Sequence, residues 1–325
     1  MQSLLIRLYL LGVFRMNLNE MIKVLSSFKT CKSWTLKILQ IKNYKNKDSL
    51  YVAREIKIDP PETLKTIVSE IAENYIKDNR LKSKYENIVD YDGIILDSVI
   101  YKLNTTNNMV VSEYENLVNA IAKADNECNP FDLKANAYVL EGVIKYNDDK
   151  KNIQLFCIRN PITLFKNKFI SFDKGKFKLF EDKIISLTNY FDVMLFDNEI
   201  YMFSLEGEKL FNMIRSYKQK CENDLKEIEK YNLFSDFEKF SAFSKSGRNP
   251  RKFCSFNIEY LEQLKDDKKR IEIAKKFNIT LNEKNLFDSS DEDNLDRIIK
   301  LLCEKAMIDP FDEEPKEVVN SRNWK

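Results

Sequence analysis

Positively charged side chains crowd one stretch of the sequence, residues 244–276, and could bind phosphate groups. The stretch holds ten Lys or Arg against five acidic residues. The candidate binding residues among them are Lys245, Arg248, Arg251, Lys252, Lys268, Lys269, Arg270, Lys275 and Lys276. Within SKSGRNPRKF, Gly247, Asn249 and Pro250 predict a loop, and a loop that offers cations and free backbone amides suits phosphate oxygens. Clusters of charge are also common on solvated surfaces, so nucleic-acid binding and plain solvation both remain open.

An acidic stretch follows at residues 288–317, with eleven acidic residues against four basic ones. Two functional interpretations are open. The stretch could pair with the basic segment of another subunit, or it could compete with DNA for that segment. A simpler interpretation needs no partner, because acidic residues such as Asp291 and Asp293 are favoured at the start of a helix.

A metal-dependent nuclease needs an Asp shortly before a Glu-x-Lys motif on an adjoining strand. The two carboxylates then bind a divalent ion, and the lysine of the motif lies beside it. The nearest approach is Asp132 with Glu141 and Lys145. The spacing from Glu141 to Lys145 is four residues, which keeps both on one face of a strand. Alternation with Val139 and Val143 explains the same residues as an exposed strand face, so the nuclease stays an alternative hypothesis.

Other catalytic classes lack their residues. The sequence contains no histidine, the commonest general base and metal ligand. It has six cysteines without a C-x-x-C pair, which predicts buried, reduced thiols, and no Gly-rich phosphate-binding motif. We therefore predict no catalytic residues, no metal site and no cofactor, and we expect a binding protein rather than an enzyme.

The composition predicts an α+β protein of two domains. Of the 325 residues, 43% are hydrophobic, and the formal net charge is only +2, so any signal for a nucleic-acid or membrane partner must be local. We expect mixed or antiparallel β-sheets with amphipathic helices and a helix-rich C-terminal third. The expected domains are 1–130 and 131–325.

The N-terminal part predicts strand, strand, helix. Residues 34–58 alternate apolar and polar side chains around a polar turn, which is typical of a hairpin, and residues 62–77 carry a helical apolar stripe. A helix over 112–124 is predicted to begin with a capping box of Ser112 and Glu115. Residues 1–15 carry an apolar run that is interrupted by Arg7 and followed by Arg15, and the run is too short to span a membrane. They indicate either a start codon at Met16 or a short membrane-surface anchor.

Two further patterns concern the middle of the chain. YDGIILDSVIYKL (91–103) and FDVMLFDNEIYMF (191–203) align without gaps, and each predicts a hairpin with a two-residue turn. Shared turn chemistry and true duplication both explain the likeness. An apolar stripe through 206–231, which includes Ile214 and Leu225, predicts one long surface helix that could join subunits. Shorter helices are predicted at 258–266, 268–277 and 292–304.

The C-terminal half resembles the KwaB-like family, the soluble subunit of the Kiwa anti-phage defence system of bacteria. The resemblance is carried by FDVMLFDNEIYMF leading into EKLFNMI, by GRNPRKFCSFNIEYLEQLKDDKKRIEIAKKFNITL and by the ending MIDPFDEEPKEVVNSRNWK. The succession of hairpin, helix, basic loop, paired helices and terminal segment is similar to that of the family over residues 135–325.

The resemblance implies a DNA-binding protein that forms a homodimer or higher oligomer and works with a small KwaA-like membrane protein to restrict phage. It implies a cytoplasmic location, with recruitment to the inner face of the cell membrane by that partner. A non-catalytic protein-interaction subunit is a further alternative. No binding residue is transferred from the family, so the nine candidate cations rest on local charge and loop chemistry alone.

Overall fold

The structure is a computed structural model that describes residues 16–45, 47–93, 95–124, 132–163, 169–173, 176–180, 184–304, 306–308 and 315–317. Its contacts divide the chain into two compact units. The first comprises residues 1–90 and 98–211, and the second comprises residues 91–97 and 212–325. The combination of a mixed sheet with many helices confirms the α+β prediction.

The first unit is built on an eight-stranded sheet. Its strands and the additional short strands of this unit are β1 (Trp34–Lys42), β2 (Leu50–Ile56), β3 (Asn87–Asp90), β4 (Val99–Asn104), β5 (Ala137–Tyr146), β6 (Asp149–Cys157), β7 (Ile162–Thr163), β8 (Phe169–Asp173), β9 (Lys176–Phe180), β10 (Ile184–Ile185), β11 (Val193–Phe196) and β12 (Glu199–Met202). The order in the large sheet is β2-β1-β5-β6-β11-β12-β4-β3. Neighbouring strands are antiparallel except β3 and β4, which are parallel.

The helices of the first unit are α1 (Leu18–Ser26), α2 (Glu62–Ile76), α3 (Arg80–Lys84), α4 (Val111–Ala122) and α5 (Gly207–Leu210). The apolar stripe of α2, with Leu64, Val68 and Ile71, packs with Met21 and Leu25 of α1 in one core. Alternate strand residues from β1, β5, β6 and β11 belong to the same core, as the period of two in those strands requires. The predicted hairpin at 34–58 and the helix after it are confirmed.

The second unit is mainly helical. Its elements are α6 (Met213–Glu229), α7 (Phe237–Ser244), α8 (Asn249–Lys252), α9 (Glu259–Leu264), α10 (Asp267–Lys276), α11 (Glu292–Leu302), β13 (Ala306–Ile308) and β14 (Pro315–Glu317). Its core joins Cys221, Leu225 and Ile228 of α6 to Leu295 and Ile298 of α11. The three shorter helices predicted for this part of the chain are confirmed.

Three local predictions were wrong. Residues 91–103 do not form a hairpin, because Tyr91–Asp97 belongs to the second unit and β4 instead pairs in parallel with β3. The helix α4 begins at Val111 with Val110 as its N-cap, so Ser112 lies inside the helix and its hydroxyl lies 3.4 Å from Asp48. The helix expected over 206–231 is interrupted at Asn212, whose φ of 46° is left-handed, a conformation that Asn tolerates.

The interruption changes the interpretation of the long stripe. Tyr217, Cys221, Leu225 and Ile228 are buried in the second unit, so the apolar face of α6 is covered without another subunit. Ile214 alone among the stripe residues of α6 is largely exposed, at 57%. A charge placed at Leu225 would therefore disturb the core of this chain and would not report on a partner.

The compact units also differ from the domains expected at 1–130 and 131–325. β1 pairs with β5 from Trp34↔Gly142 to Leu39↔Ala137, so strands from both sides of that boundary share one sheet. Such long-range pairing leaves no periodic mark in the sequence. The compact units are therefore not contiguous in sequence.

Candidate nucleic-acid interface

The basic segment lies in the second unit, on short helices rather than on a loop. α7 ends at Ser244, Gly247 turns the chain with a φ of +54°, and α8 spans Asn249–Lys252 with Pro250 in its first turn. Proline suits that place, because its φ is already helical and the amide it lacks would have no partner there. Phe253 follows and is fully buried. The predicted loop SKSGRNPRKF is thus a turn followed by a short helix that is anchored in the core.

Arg251 is committed to contacts inside this unit. Its Nε donates to the carbonyl oxygen of Gly93 at 2.9 Å and its Nη2 donates to the Tyr91 hydroxyl at 2.9 Å. Its guanidinium also lies 5.4 Å from the centroid of the Tyr217 ring. Tyr91 and Tyr217 are hydrogen-bonded to each other through their hydroxyls. Arg251 therefore holds residues 91–93 against α6 and α8. Few hydrogen-bond donors of its guanidinium are left to bind a phosphate.

Lys252 is also paired. Its Nζ lies 2.6 Å from Asp296 of α11, and Lys300 contacts the other oxygen of that carboxylate at 2.7 Å. Burial raises the pKa of Asp296, but the hydrogen bonds from Lys252 and Lys300 outweigh this and lower it below its ordinary value. A carboxylate of the acidic stretch thus neutralises a cation of the basic segment within one unit.

Arg270 is a structural residue. Its side chain is 4% exposed and donates to the carbonyl oxygens of Leu264 and Asn285, each at 2.7 Å, and it is paired with Asp267. Lys276 differs, because it is exposed and forms only an i,i+4 pair with Glu272 at 2.8 Å. Such surface pairs are weak, so the lysine can still bind an anion.

The remaining five candidates are exposed, namely Lys245, Arg248, Lys268, Lys269 and Lys275. Within the described part of the chain, their charged groups make no hydrogen bond or ion pair. Three of them lie on α10, where Lys268 and Lys275 are seven residues apart and hence on one face, about 10 Å apart along the axis. The buried residues of α10, Arg270 and Ala274, lie on its other side. The exposed face of α10 therefore presents cations to solvent.

The four acids at the head of the acidic stretch are explained locally, whereas Glu304 accepts from Asn257 and Tyr260. Asp291 caps α11 by accepting from the amide of Asn294, and Asp288 accepts from the amide and the hydroxyl of Ser290. Glu292 and Asp293 lie in the first turn of that helix, where acids are favoured. Residues 305 and 309–314 of the stretch lie outside the described residues.

The nearest approach to a nuclease motif is not assembled as a metal site. Glu141 is paired with Lys37 and accepts a 2.6 Å hydrogen bond from Gln154. Lys145 pairs with Asp148 in the following turn. Across the described residues, no three His, Cys, Asp or Glu side chains are grouped so that they could hold a metal ion. Glu141 and Lys145 thus belong to two separate ion pairs, and the pair of Lys145 is the exposed one.

The described cysteines are free, and Cys31, Cys157, Cys221 and Cys303 are buried as expected, whereas Cys254 is only partly buried. Burial raises the pKa of the Cys157 and Cys303 thiols and raises that of Cys221 to about 12. A raised pKa keeps a thiol protonated and unreactive. Cys128 lies outside the described residues.

One polar site was not predicted from the sequence. A groove at one end of the large sheet is lined by Lys102, Glu199 and Tyr201 among others. All three lie in the segments 91–103 and 191–203, whose likeness suggested only hairpins. The available signal was the presence of Lys102 and Glu199 in otherwise apolar strands. A charged side chain in such a strand costs free energy unless it is paired or hydrogen-bonded.

None of the helices in the described ranges is long and apolar enough to cross a lipid bilayer.

The family model described as Kiwa protein KwaB-like matches residues 134–309, which include β5 to β12 of the first unit and helices α5 to α11. Neither the curated proteins nor the solved structures that were compared gave a match. The predicted resemblance is confirmed, although residues 310–325 lie beyond the matched segment. The matched segment suggests a role in Kiwa anti-phage defence, and because it covers more than half of the sequence, the chain belongs to the KwaB-like family.

Proposed function

We propose that this chain serves Kiwa defence by binding DNA through the exposed cations of its second unit. The observation that carries the proposal is the division of the nine candidate cations. Lys245, Arg248, Lys268, Lys269 and Lys275 are exposed and lack an intramolecular ion pair within the described residues. Cations in this state can release the counterions of a nucleic-acid backbone on binding, whereas Lys252 and Arg270 have already exchanged water for protein partners.

The arrangement on α10 favours backbone contact over base recognition. Lys268, Lys269 and Lys275 end in flexible ammonium groups, which act as point charges and carry little directional information. Among the described residues of α10, Ile271, which is 42% exposed, and the exposed Glu272 interrupt the row of cations. We expect binding that depends steeply on salt and weakly on sequence.

The test is a fluorescence-anisotropy titration of a labelled 30-base-pair duplex at several salt concentrations. The triple variant K268A/K269A/K275A should bind at least about tenfold more weakly at low salt, and the slope of log K against log salt should fall by up to about 3, roughly one for each phosphate that is no longer neutralised. Its urea unfolding midpoint should stay that of the wild type, because the three ammonium groups have no partner among the described residues.

A matched control is K29A/K32A/K65A, which removes three exposed lysines of the first unit. It changes the net charge equally and should leave most of the affinity. If both triple variants weaken binding to the same degree, net charge and not the α10 surface governs binding, and the site assignment is wrong. If the wild type does not bind duplex DNA at low salt, the proposal itself fails.

We further propose that the chain is cytoplasmic, forms a homodimer or higher oligomer and acts as the effector of a complex with a KwaA-like membrane protein. Support comes from the family, whose system includes such partner subunits. Recruitment by the partner would bring the chain to the inner face of the membrane.

A further inference from the structure

A groove of about 380 Å³ lies at the end of the large sheet where the β5–β6 and β11–β12 turns are found. Glu199 and Tyr201, two residues apart on β12, present their side chains to the same face, and Lys102 lies opposite Tyr201 on β4. Tyr146 and Phe196 add aromatic rings, whose centroids are 5.4 Å apart. All of these residues line the groove and belong to the first unit.

Two polar atoms in this groove lack partners. Tyr201 is only 2% exposed, and its hydroxyl makes no hydrogen bond with any described residue. Oε2 of Glu199 is buried and likewise has no hydrogen-bond partner among the described residues, while Oε1 lies 3.4 Å from Lys102. Buried polar atoms are nearly always satisfied, so Glu199 Oε2 lacks a hydrogen-bond donor. The Tyr201 hydroxyl is not fully buried, and it is open to a further hydrogen-bond partner.

The charged residues that line the groove indicate which charge a ligand would carry. Three carboxylates, of Asp149, Asp197 and Glu199, line the groove with two ammonium groups. One of those, Lys151, is held by Asp197 at 2.8 Å, and the other, Lys102, faces Glu199. Burial is the largest influence on the Glu199 carboxyl and raises its pKa, while Lys102 and Asn104 act in the opposite direction.

We propose that the groove binds a small organic cation, an alkylammonium or guanidinium group, which donates hydrogen bonds to Glu199 Oε2 and to the Tyr201 hydroxyl. The aromatic rings that line the groove give such a cation favourable contacts with their faces. An anion fits less well, because both lysines are already engaged and the acids outnumber them. A free diamine and the side chain of a peptide Arg or Lys share this chemistry.

The experiment is isothermal titration calorimetry on the full-length protein with agmatine, putrescine and the tripeptide Gly-Arg-Gly as probes. E199Q should weaken binding of the cation by at least about tenfold, because a charge-assisted hydrogen bond is removed. Y201F should weaken it by about threefold to tenfold. The control D148N removes a neighbouring acid that is exposed and pairs with Lys145 outside the groove, and it should bind as the wild type does.

The probes separate the two sources. Tighter binding of agmatine than of Gly-Arg-Gly supports a free cation, and the reverse order supports a side chain of another protein. Inorganic phosphate serves as the opposite probe, and saturable binding of phosphate that E199Q leaves intact would overturn the assignment. Equal affinities of the wild type, E199Q and D148N for all cations would also overturn it.

K102M gives a second test whose expected effect has the opposite sign. Removal of the Lys102 ammonium leaves Glu199 without its cation, so an added cation should bind more tightly and should raise the melting temperature of K102M more than that of the wild type. A smaller ligand-induced shift in K102M, measured by differential scanning fluorimetry, would show that Lys102 is needed and that the ligand is not a cation. Duplex affinity is measured on the same variants, so a failure here is distinguished from a failure of DNA binding.

Discussion

Asp296 shows how a single residue connects the two charged stretches of the sequence. It lies on α11 and accepts from Lys252 at 2.6 Å, while Lys300 on its own helix adds a second ammonium at 2.7 Å. α8 and α11 are therefore joined through charge as well as through the core. Within the described residues, the acidic stretch therefore neutralises one cation of the basic segment, Lys252, and forms no ion pair with the cations of α10.

This pairing predicts a pH dependence. Since the folded pKa of Asp296 lies below the unfolded value of about 3.9, the stabilisation is fully present above pH 4 and is lost as the pH falls through the folded pKa. D296N should therefore unfold more easily than the wild type at pH 7, by at most about 1 kcal/mol for a half-buried pair. The difference should shrink below pH 4, where the wild-type carboxyl becomes neutral as well.

The measurement is urea unfolding followed by circular dichroism between pH 7 and pH 3. D148N serves as the comparison, because the Lys145–Asp148 pair is almost fully exposed and should contribute little at any pH. A difference between D296N and the wild type that stays constant over the whole range would show that the pair with Lys252 does not contribute.

Elements were predictable from the sequence where their apolar period was strong and their ends were marked. The hairpin of β1 and β2, with alternating residues such as Leu36 and Ile38, is one case, and α11 with its Asp291 cap is another. Residues 91–97 were not predictable in this way. Their apolar residues suggested a strand, but Arg251, more than 150 residues later, binds the carbonyl oxygen of Gly93 and keeps this segment in the second unit. A tertiary contact therefore decides the local structure.

The same limitation applied to the candidate site. Charge counting found the exposed lysines of α10, since exposure is the usual state of lysine. It could not separate them from Arg251, Lys252 and Arg270, because their partners Gly93, Asp296 and Asn285 come from other elements. The groove at Glu199 was missed for a related reason, since strands that are adjacent in the sheet are distant in sequence.

The tight packing around Gly93 gives a prediction for the segment 91–97. Its φ is +89°, and a Cβ at this position would lie 2.5 Å from Sγ and 2.7 Å from Cβ of Cys254. G93A should therefore lower the free energy of unfolding by about 2–4 kcal/mol, since it adds both a strained backbone and a steric overlap in a buried place. Urea unfolding measures the loss.

A glycine in open space isolates the backbone part of that cost. Gly247 also has a positive φ, +54°, but a Cβ there would have no atom within 4 Å. G247A should cost only about 1 kcal/mol, the usual penalty for a left-handed alanine. If G93A is no more harmful than G247A, the packing of Gly93 against Cys254 does not hold the segment in place.

At the scale of the whole molecule, the order of strands brings together segments that are far apart in the sequence. β5 enters the sheet between β1 and β6, and β4 pairs with β12 from almost 100 residues later. The family match begins at residue 134, close to the boundary expected from sequence, yet the first compact unit extends across it. A segment shared by relatives and a compact structural unit are therefore different divisions of this chain.

The proposed complex predicts where the chain is found in the cell. If a KwaA-like membrane protein recruits the chain, its location should depend on that partner. Expressed alone, the chain should appear in the soluble fraction after ultracentrifugation, and co-expression with a KwaA-like membrane protein should move most of it to the membrane fraction. Deletion of residues 1–15 should change neither result, because recruitment is expected to depend on the partner. If the chain sediments with membranes without the partner, and the deletion releases it, the first fifteen residues act as a membrane-surface anchor and recruitment by KwaA is unnecessary.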